Sequence, residues 1–360
     1  MKFDKINNFG LIRLLAALQV LFCHSIEHLE LKDNQIFSFI GEKFIYYFPG
    51  VPIFFTVSGF LIFASFEKNH KAVKEYFFNR VVRLYPALWV CLLITIFLLL
   101  EAYSGNIKDL VLSRTFYLWI LEQLTFFQFH TPDLLRFWGV GTPNGSLWTI
   151  AVEVQFYCLV PLLYYFLAKA NIKRTILICG IFVISIFCNY YFGILNHESL
   201  IHKLATVSIF PYLYCFMFGV VAYLKWEKIK TYFVGKFIIW LIIYLIYINF
   251  AGNFLNIQLV SYFISSPFHI ITNVLLSCLT LSAVFSYPKL SNSFIKENDL
   301  SYGIYIYHML VINVFVQNRF IKEPYYVVFV FLIVMSLAML SWKFVEQPIL
   351  KLKKKSISKL

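Results

Sequence analysis

The chain has 360 residues, of which 60% are hydrophobic and 14% charged, with 41 Phe, 24 Tyr and a formal net charge of +13. That composition leaves too little polar surface for a water-soluble globule and too many order-promoting residues for disorder, so it specifies an integral membrane protein. The positive charge is accounted for by loop topology, as argued below, and gives no independent support to a nucleic-acid partner.

A membrane-crossing helix needs about 20 apolar residues. With charged clusters as dividers, about ten such stretches are expected, at residues 10–28, 44–66, 84–101, 147–168, 175–195, 204–224, 237–251, 264–286, 301–318 and 326–346. The predicted fold is therefore all-α, a polytopic membrane helix bundle occupying residues 1–360 as a single membrane-embedded domain with no separate soluble domain.

The first stretch, FGLIRLLAALQVLFCHS, carries Arg13 and His24. Eleven positions at about 100° each return the two to nearly the same face, roughly 16 Å apart along the axis. An intramembrane cation and a titratable imidazole on one stripe point to a protein interior or a watery cavity, although Arg13 could also snorkel to the headgroups and His24 make a buried hydrogen bond. Arg13 interrupts the apolar run and no small-x-small cleavage pattern follows, which argues against a removable signal peptide. His24 and His28 have the spacing of a zinc pair, but no third ligand is evident and no metal site is expected.

The second stretch, GVPIFFTVSGFLIF, brings Thr56, Ser58 and Gly59 into an apolar helix, where Gly59 admits either a neighbouring backbone or a thin ligand. In the loop that follows, Arg80 and Arg83 stand at i, i+3, and Pro86 is expected to open the third span. Cytoplasmic anchoring explains such charges, and two guanidinium forks at fixed spacing also suit a phosphate. Between residues 102 and 146 the run RTFYLWILEQLTFFQF is interrupted by Arg114, Glu122 and Gln123, which favours an interfacial or re-entrant helix over a clean span.

In the fourth stretch Glu153 lies about two turns inside the outer boundary, with Tyr157 one turn further on the same face. A carboxylate in a span needs a cation, a proton or a hydroxyl. The seven Cys lie in apolar stretches without C-x-x-C spacing and read as small packing residues. The ninth stretch opens SYGIYIYHML, placing Ser301, Tyr305 and His308 on one face, with the His deeper than an aromatic belt would require. Glu346 and Pro348 then close the last span, the proline read as a helix stop.

If the N-terminus is cytoplasmic, 21 of the 31 Lys and Arg fall in inner loops and 8 in outer ones, so the positive-inside rule places both termini in the cytoplasm. His24 and Glu153 then come out at similar depth in the outer half, with Arg80 and Arg83 on the cytoplasmic side and Arg13 between. A protein that takes an anionic phosphorylated donor from the cytoplasm and delivers its reactive end outward needs that distribution.

On these residues the chain resembles the acyltransferase-3 family of integral membrane O-acyltransferases, nearly end to end. The family's R-x10-H corresponds to Arg13 and His24, and its F-F-x-x-S-G-F-L to Phe54, Phe55, Ser58, Gly59, Phe60 and Leu61. R-x-x-R followed by Tyr-Pro matches Arg80, Arg83, Tyr85 and Pro86, and the S-L-W-(S/T)-x-x-V-E-x-Q-F-Y signature matches Ser146 to Tyr157 with Glu153. S-Y-x-x-Y-x-x-H matches Ser301, Tyr302, Tyr305 and His308, and E-x-P matches Glu346 and Pro348. Two departures stand out: the acidic residue often found before G-L-x-R is Phe9 here, and the extracellular esterase-like domain fused to some members is not expected within these 360 residues.

The resemblance implies acyl transfer, most simply of acetyl, from cytoplasmic acyl-CoA to a sugar hydroxyl of a cell-surface polysaccharide or its lipid-linked precursor. His24 would be the general base, supported by Glu153, while Arg80 and Arg83 hold the nucleotide phosphates. Arg13 and Ser58 would line the path of the pantetheine arm, with Tyr305 and His308 shaping the site. No tightly bound cofactor is implied, acyl-CoA being a substrate, and the setting is the bacterial cytoplasmic membrane with its lipids. The competing class is a transporter or flippase for a glycan or anionic substrate, since buried His, Arg and Glu also make proton relays. No repeat relates the two halves, which counts against it.

Overall fold

The structure, a computed structural model, describes residues 7–41, 45–68, 70–168, 172–196, 199–254, 267–291 and 298–357. The first residues of the expected span 264–286 and the inner-loop lysines Lys2, Lys5, Lys169, Lys296 and Lys359 lie outside them. In chain order the helices are α1 (Phe9–His28), α2 (Gln35–Ile40), α3 (Gly50–Lys68), α4 (Val73–Ala102), α5 (Ile107–Leu112), α6 (Arg114–Leu124), α7 (Trp148–Ala168) and α8 (Ile172–Ile194). There follow α9 (Leu200–Thr206), α10 (Leu213–Ile229), α11 (Phe237–Asn249), α12 (Pro267–Phe285), α13 (Ser301–Gln317), α14 (Tyr325–Ser341) and α15 (Gln347–Ile357). No strand occurs among the described residues. The fold is an all-α polytopic membrane bundle.

By length and composition seven helical runs among the described residues can cross a membrane, and an eighth is counted if α10 and α11, bent by 98° at their junction, form one broken span. The bend lies at Gly235, whose φ of +70° is open to glycine and strained for other residues. The expected span 204–224 divides into α9 and α10 around Pro211, which has no N–H to continue a helix. α6, with 11 residues, is about 16 Å long, roughly half the hydrocarbon thickness, and so cannot cross by itself.

Three prolines show how the helices absorb breaks. Pro86 does not open a span, because α4 runs through it and carries Arg80 and Arg83 on the same 30-residue helix. The proline frees the Val82 carbonyl, and two residues before the proline the Tyr302 hydroxyl donates to the Leu84 carbonyl at 2.8 Å, tying the kinked stretch to α13. Pro161 in α7 leaves the Tyr157 carbonyl without its i+4 donor, and the Tyr76 hydroxyl donates to it at 3.2 Å. Pro348 is not a stop either. A π-turn over Trp342–Glu346 joins α14 to α15 without a break, so the helix runs on past the proline.

The residues fall into two compact units. One comprises Met1–Ala16, Tyr47–Tyr76 and Val152–Glu297. Its core is the crossing of α3 on α10, where a Cβ on Gly59 would lie 2.0 Å from the Phe216 carbonyl oxygen and one on Gly219 2.1 Å from that of Thr56. Gly59 therefore makes room for a helix backbone. Around the crossing Phe9, Phe60 and Phe285 cluster with centroids 5.3 to 5.7 Å apart, and Phe156 stacks on Phe216 at 4.1 Å. Position 9 thus lies in an apolar cluster, where an acidic side chain would be buried without compensation. Asn8 ties the start of α1 to the end of α12, donating to the Ser286 carbonyl at 2.6 Å.

The other unit comprises Ala17–Tyr46, Phe77–Ala151 and Asn298–Leu360. α13 meets α14 closely at Gly303, where a Cβ would lie 2.9 Å from the Ala338 Cα. Beyond His308 on α13, the fully buried Asn313 pins a neighbouring loop. Its Oδ1 accepts from the Val140 N–H at 2.9 Å, and its Nδ2 donates to the carbonyls of Thr142 at 2.9 Å and Pro143 at 3.0 Å. Gln317 accepts from the Gly139 N–H at 2.9 Å.

Candidate active site

The second unit joins two histidines far apart in sequence. His24 on α1 and the fully buried His308 on α13 place Nδ1 and Nε2 2.9 Å apart, with ring centroids 5.1 Å apart and planes at 26°. His24 is half-buried. On its far side His308 Nδ1 lies 2.7 Å from the Tyr305 carbonyl, and the Ile304 carbonyl is at 3.3 Å.

Tyr305 continues the network through both ends. Its hydroxyl donates to the Ser146 carbonyl at 3.2 Å and lies 2.7 Å from Thr149 Oγ1. The Ser146 hydroxyl donates to Asn144 Oδ1 at 2.8 Å, and Asn144 Nδ2 donates to the Ile306 carbonyl at 2.8 Å. The start of the S-L-W-T segment is therefore fastened to α13 one turn before His308. Ser146, Thr149 and Asn144 were not among the expected site residues. Only the motif's hydroxyl at each end hinted at them.

On α4, Arg83 forms an ion pair with Asp299, Nη2 to Oδ2 at 2.6 Å, and the Ser301 hydroxyl donates to the other carboxylate oxygen at 2.6 Å. Asp299 was also missed in the sequence, although an acid two residues before Ser301, in a segment expected to be basic, was a usable signal. Arg80 lies one turn earlier and is half-buried.

Arg13, Ser58 and Glu153 belong to the first unit. Glu153 and Tyr157 meet as the shared face predicts, the phenol donating to the carboxylate at 2.5 Å. Arg13 and Ser58 are both half-buried on their helices. Glu346 lies in the π-turn and accepts from the Ser341 hydroxyl at 3.0 Å.

A family model described as an acyltransferase domain matches residues 6–343. Nodulation protein 10 of Rhizobium leguminosarum bv. viciae is 30% identical over 96% of this chain and 94% of its own length. A putative O-acetyltransferase of Staphylococcus aureus (strain COL) is 25% identical over 84% of this chain, which spans 53% of that protein. A peptidoglycan O-acetyltransferase of Listeria monocytogenes is 31% identical over 32% of this chain and 19% of its own length. No solved structure matches. With a family match over nearly its whole length, the chain belongs to the acyltransferase-3 family of membrane O-acyltransferases.

Proposed function

We propose that the protein transfers an acetyl group from cytoplasmic acetyl-CoA to a sugar hydroxyl of a cell-surface polysaccharide or its lipid-linked precursor, in the bacterial cytoplasmic membrane. The observation that carries this reading is the His24–His308 pair: a half-buried imidazole, held by a second imidazole, at the family's R-x10-H position. His24 takes the proton of the acceptor hydroxyl as its oxygen attacks the acyl carbonyl carbon. The C–S bond then breaks, and the proton passes from His24 to the departing coenzyme A sulfur, leaving an ester and a free thiol. Incubating the purified protein with labelled acetyl-CoA and candidate envelope glycans tests the reading. Label in the glycan supports it, and label that stays in acetyl-CoA with every acceptor counts against it.

Arg80 and Arg83 are the proposed phosphate ligands, with Asp299 orienting the Arg83 fork, and Arg13 and Ser58 are assigned to the path of the pantetheine arm. Alanine at Arg80 or Arg83 is expected to weaken acetyl-CoA binding by about 1.5–3 kcal/mol each, the range for a hydrogen bond to a charged group. Lysine should restore only part of this, being a point charge without the fork. Arg80→Ala is the cleaner probe, since removing Arg83 also takes the guanidinium from its ion pair with Asp299. Unchanged affinity in the double variant, read by calorimetry, would reduce both residues to topological anchors.

Both termini are proposed to be cytoplasmic, on the 21 to 8 division of loop charge. Reporter fusions should place the region around residues 130–145 outside and the 68–83 loop inside. Finding both on one side would overturn the assignment of donor and acceptor faces.

Glu153 is the second proposed catalytic group. Glu153→Gln is expected to lower turnover about tenfold or more while sparing acetyl-CoA binding. A glutamine variant with wild-type turnover would leave Glu153 as a partner for Tyr157 alone.

A further inference from the structure

We propose that His308 is a positioning residue that holds His24 in the tautomer protonated at Nδ1, so that the lone pair of His24 Nε2 is the basic atom offered to the acceptor. The inference rests on the assignment of His24 as the base and supplies the atom through which it acts.

The assignment follows from donors and acceptors in sequence along the network. A carbonyl oxygen only accepts, so the 2.7 Å contact with the Tyr305 carbonyl requires a hydrogen on His308 Nδ1. In a neutral imidazole one nitrogen donates and the other accepts, which leaves His308 Nε2 as an acceptor. The 2.9 Å contact then needs its hydrogen from His24 Nδ1. His24 Nε2 is left bare.

The direction of the pair is thus set at the Tyr305 carbonyl, and Tyr305 is itself fixed through its hydroxyl to Ser146 and Thr149. A neutral partner suits this position. His308 is 0% exposed, and a carboxylate there would have to be desolvated before it helped. When His24 gains a proton at Nε2, its Nδ1–H bond to His308 becomes charge-assisted, so the support strengthens as charge develops and no proton moves on to His308.

Asparagine and glutamine at position 308 separate this role from a structural one. Glutamine reaches as far as Nε2 and can present a carbonyl oxygen to His24 Nδ1–H. Asparagine reaches only as far as Nδ1 and can keep the bond to the Tyr305 carbonyl while offering His24 nothing. Full-length protein with 15N-labelled histidine in lipid nanodiscs, with His24 assigned by its loss in His24→Ala, should show His24 Nε2 unprotonated in wild type and in His308→Gln. His308→Asn should protonate Nε2 or give a tautomer mixture, with the remaining imidazole signals reporting the fold.

In membranes, transfer of labelled acetyl from acetyl-CoA to envelope glycan should fall about 10²-fold or more in His308→Asn, and His308→Gln should recover most of that loss. A wild-type spectrum with His24 Nε2 protonated overturns the proposal, as does an asparagine variant that keeps both tautomer and rate. If asparagine unfolds the protein, the wild-type and glutamine spectra decide. The expected tautomer together with full transfer by His24→Ala would instead refute the base assignment, and with it the catalytic meaning of the pair.

Discussion

His24→Ala is expected to abolish acyl transfer while expression, membrane insertion and acetyl-CoA binding persist. A positioned base contributes about 10² to 10⁴ in rate, and no neighbour is placed to substitute with the same geometry. His28 is the nearest imidazole along the helix, its ring centroid 5.7 Å from that of His24, a full turn away. Removing His24 leaves the His308 Nε2 acceptor unpaired, which costs about 1–3 kcal/mol of stability, so yield and monodispersity should be read beside transfer. Near wild-type turnover in a well-folded His24→Ala protein would refute the assignment.

The second large effect is expected far from any proton transfer. Gly59→Ala puts a methyl 2.0 Å from the Phe216 carbonyl oxygen, and the obstructing atoms are helix backbone that cannot rotate away. Overpacking ordinarily costs about 1–3 kcal/mol, and this site should lie at the upper end or beyond, since α3 and α10 must separate to admit the group. The expected result is loss of folded protein in size-exclusion profiles. Gly180→Ala on α8 is the control, because a Cβ there meets nothing within 4 Å and alanine is the better helix former. Equal yields for the two variants would show that the crossing relaxes.

Hydropathy made most of the helices legible, because a lipid-facing helix must be apolar along its whole length. It was blind to breaks whose cause is local. The span expected at 204–224 is apolar throughout, yet Pro211 divides it, and a window average cannot register one missing N–H. Pro86 and Pro348 misled in the opposite direction, read as a start and a stop where the helices continue. For a proline, the outcome depends on which carbonyl is freed and what lies beside it, as Tyr76 shows at Tyr157. In the site, Tyr157 could be paired with Glu153 because one helical turn joins them. His308 could be placed on a face but not against His24, since residues 284 positions apart are brought together only by folding.

The loop from Gly139 to Pro143 has a consequence for how such a protein can diversify. Surface connections are where chains usually accept insertions, tags and sequence drift. This one has little such latitude, because the Asn313 side chain holds three of its backbone groups and Gln317 a fourth. Gly139 itself sits at φ +58°, with space above its Cα already taken by the Asn313 amide. A residue added between Gly139 and Pro143 would break the register of those bonds and pull on α13 one and a half turns from His308. Variation in what the protein acts upon is therefore expected to accumulate in other loops, and an epitope inserted here should silence the enzyme where the same epitope at Gly105 does not.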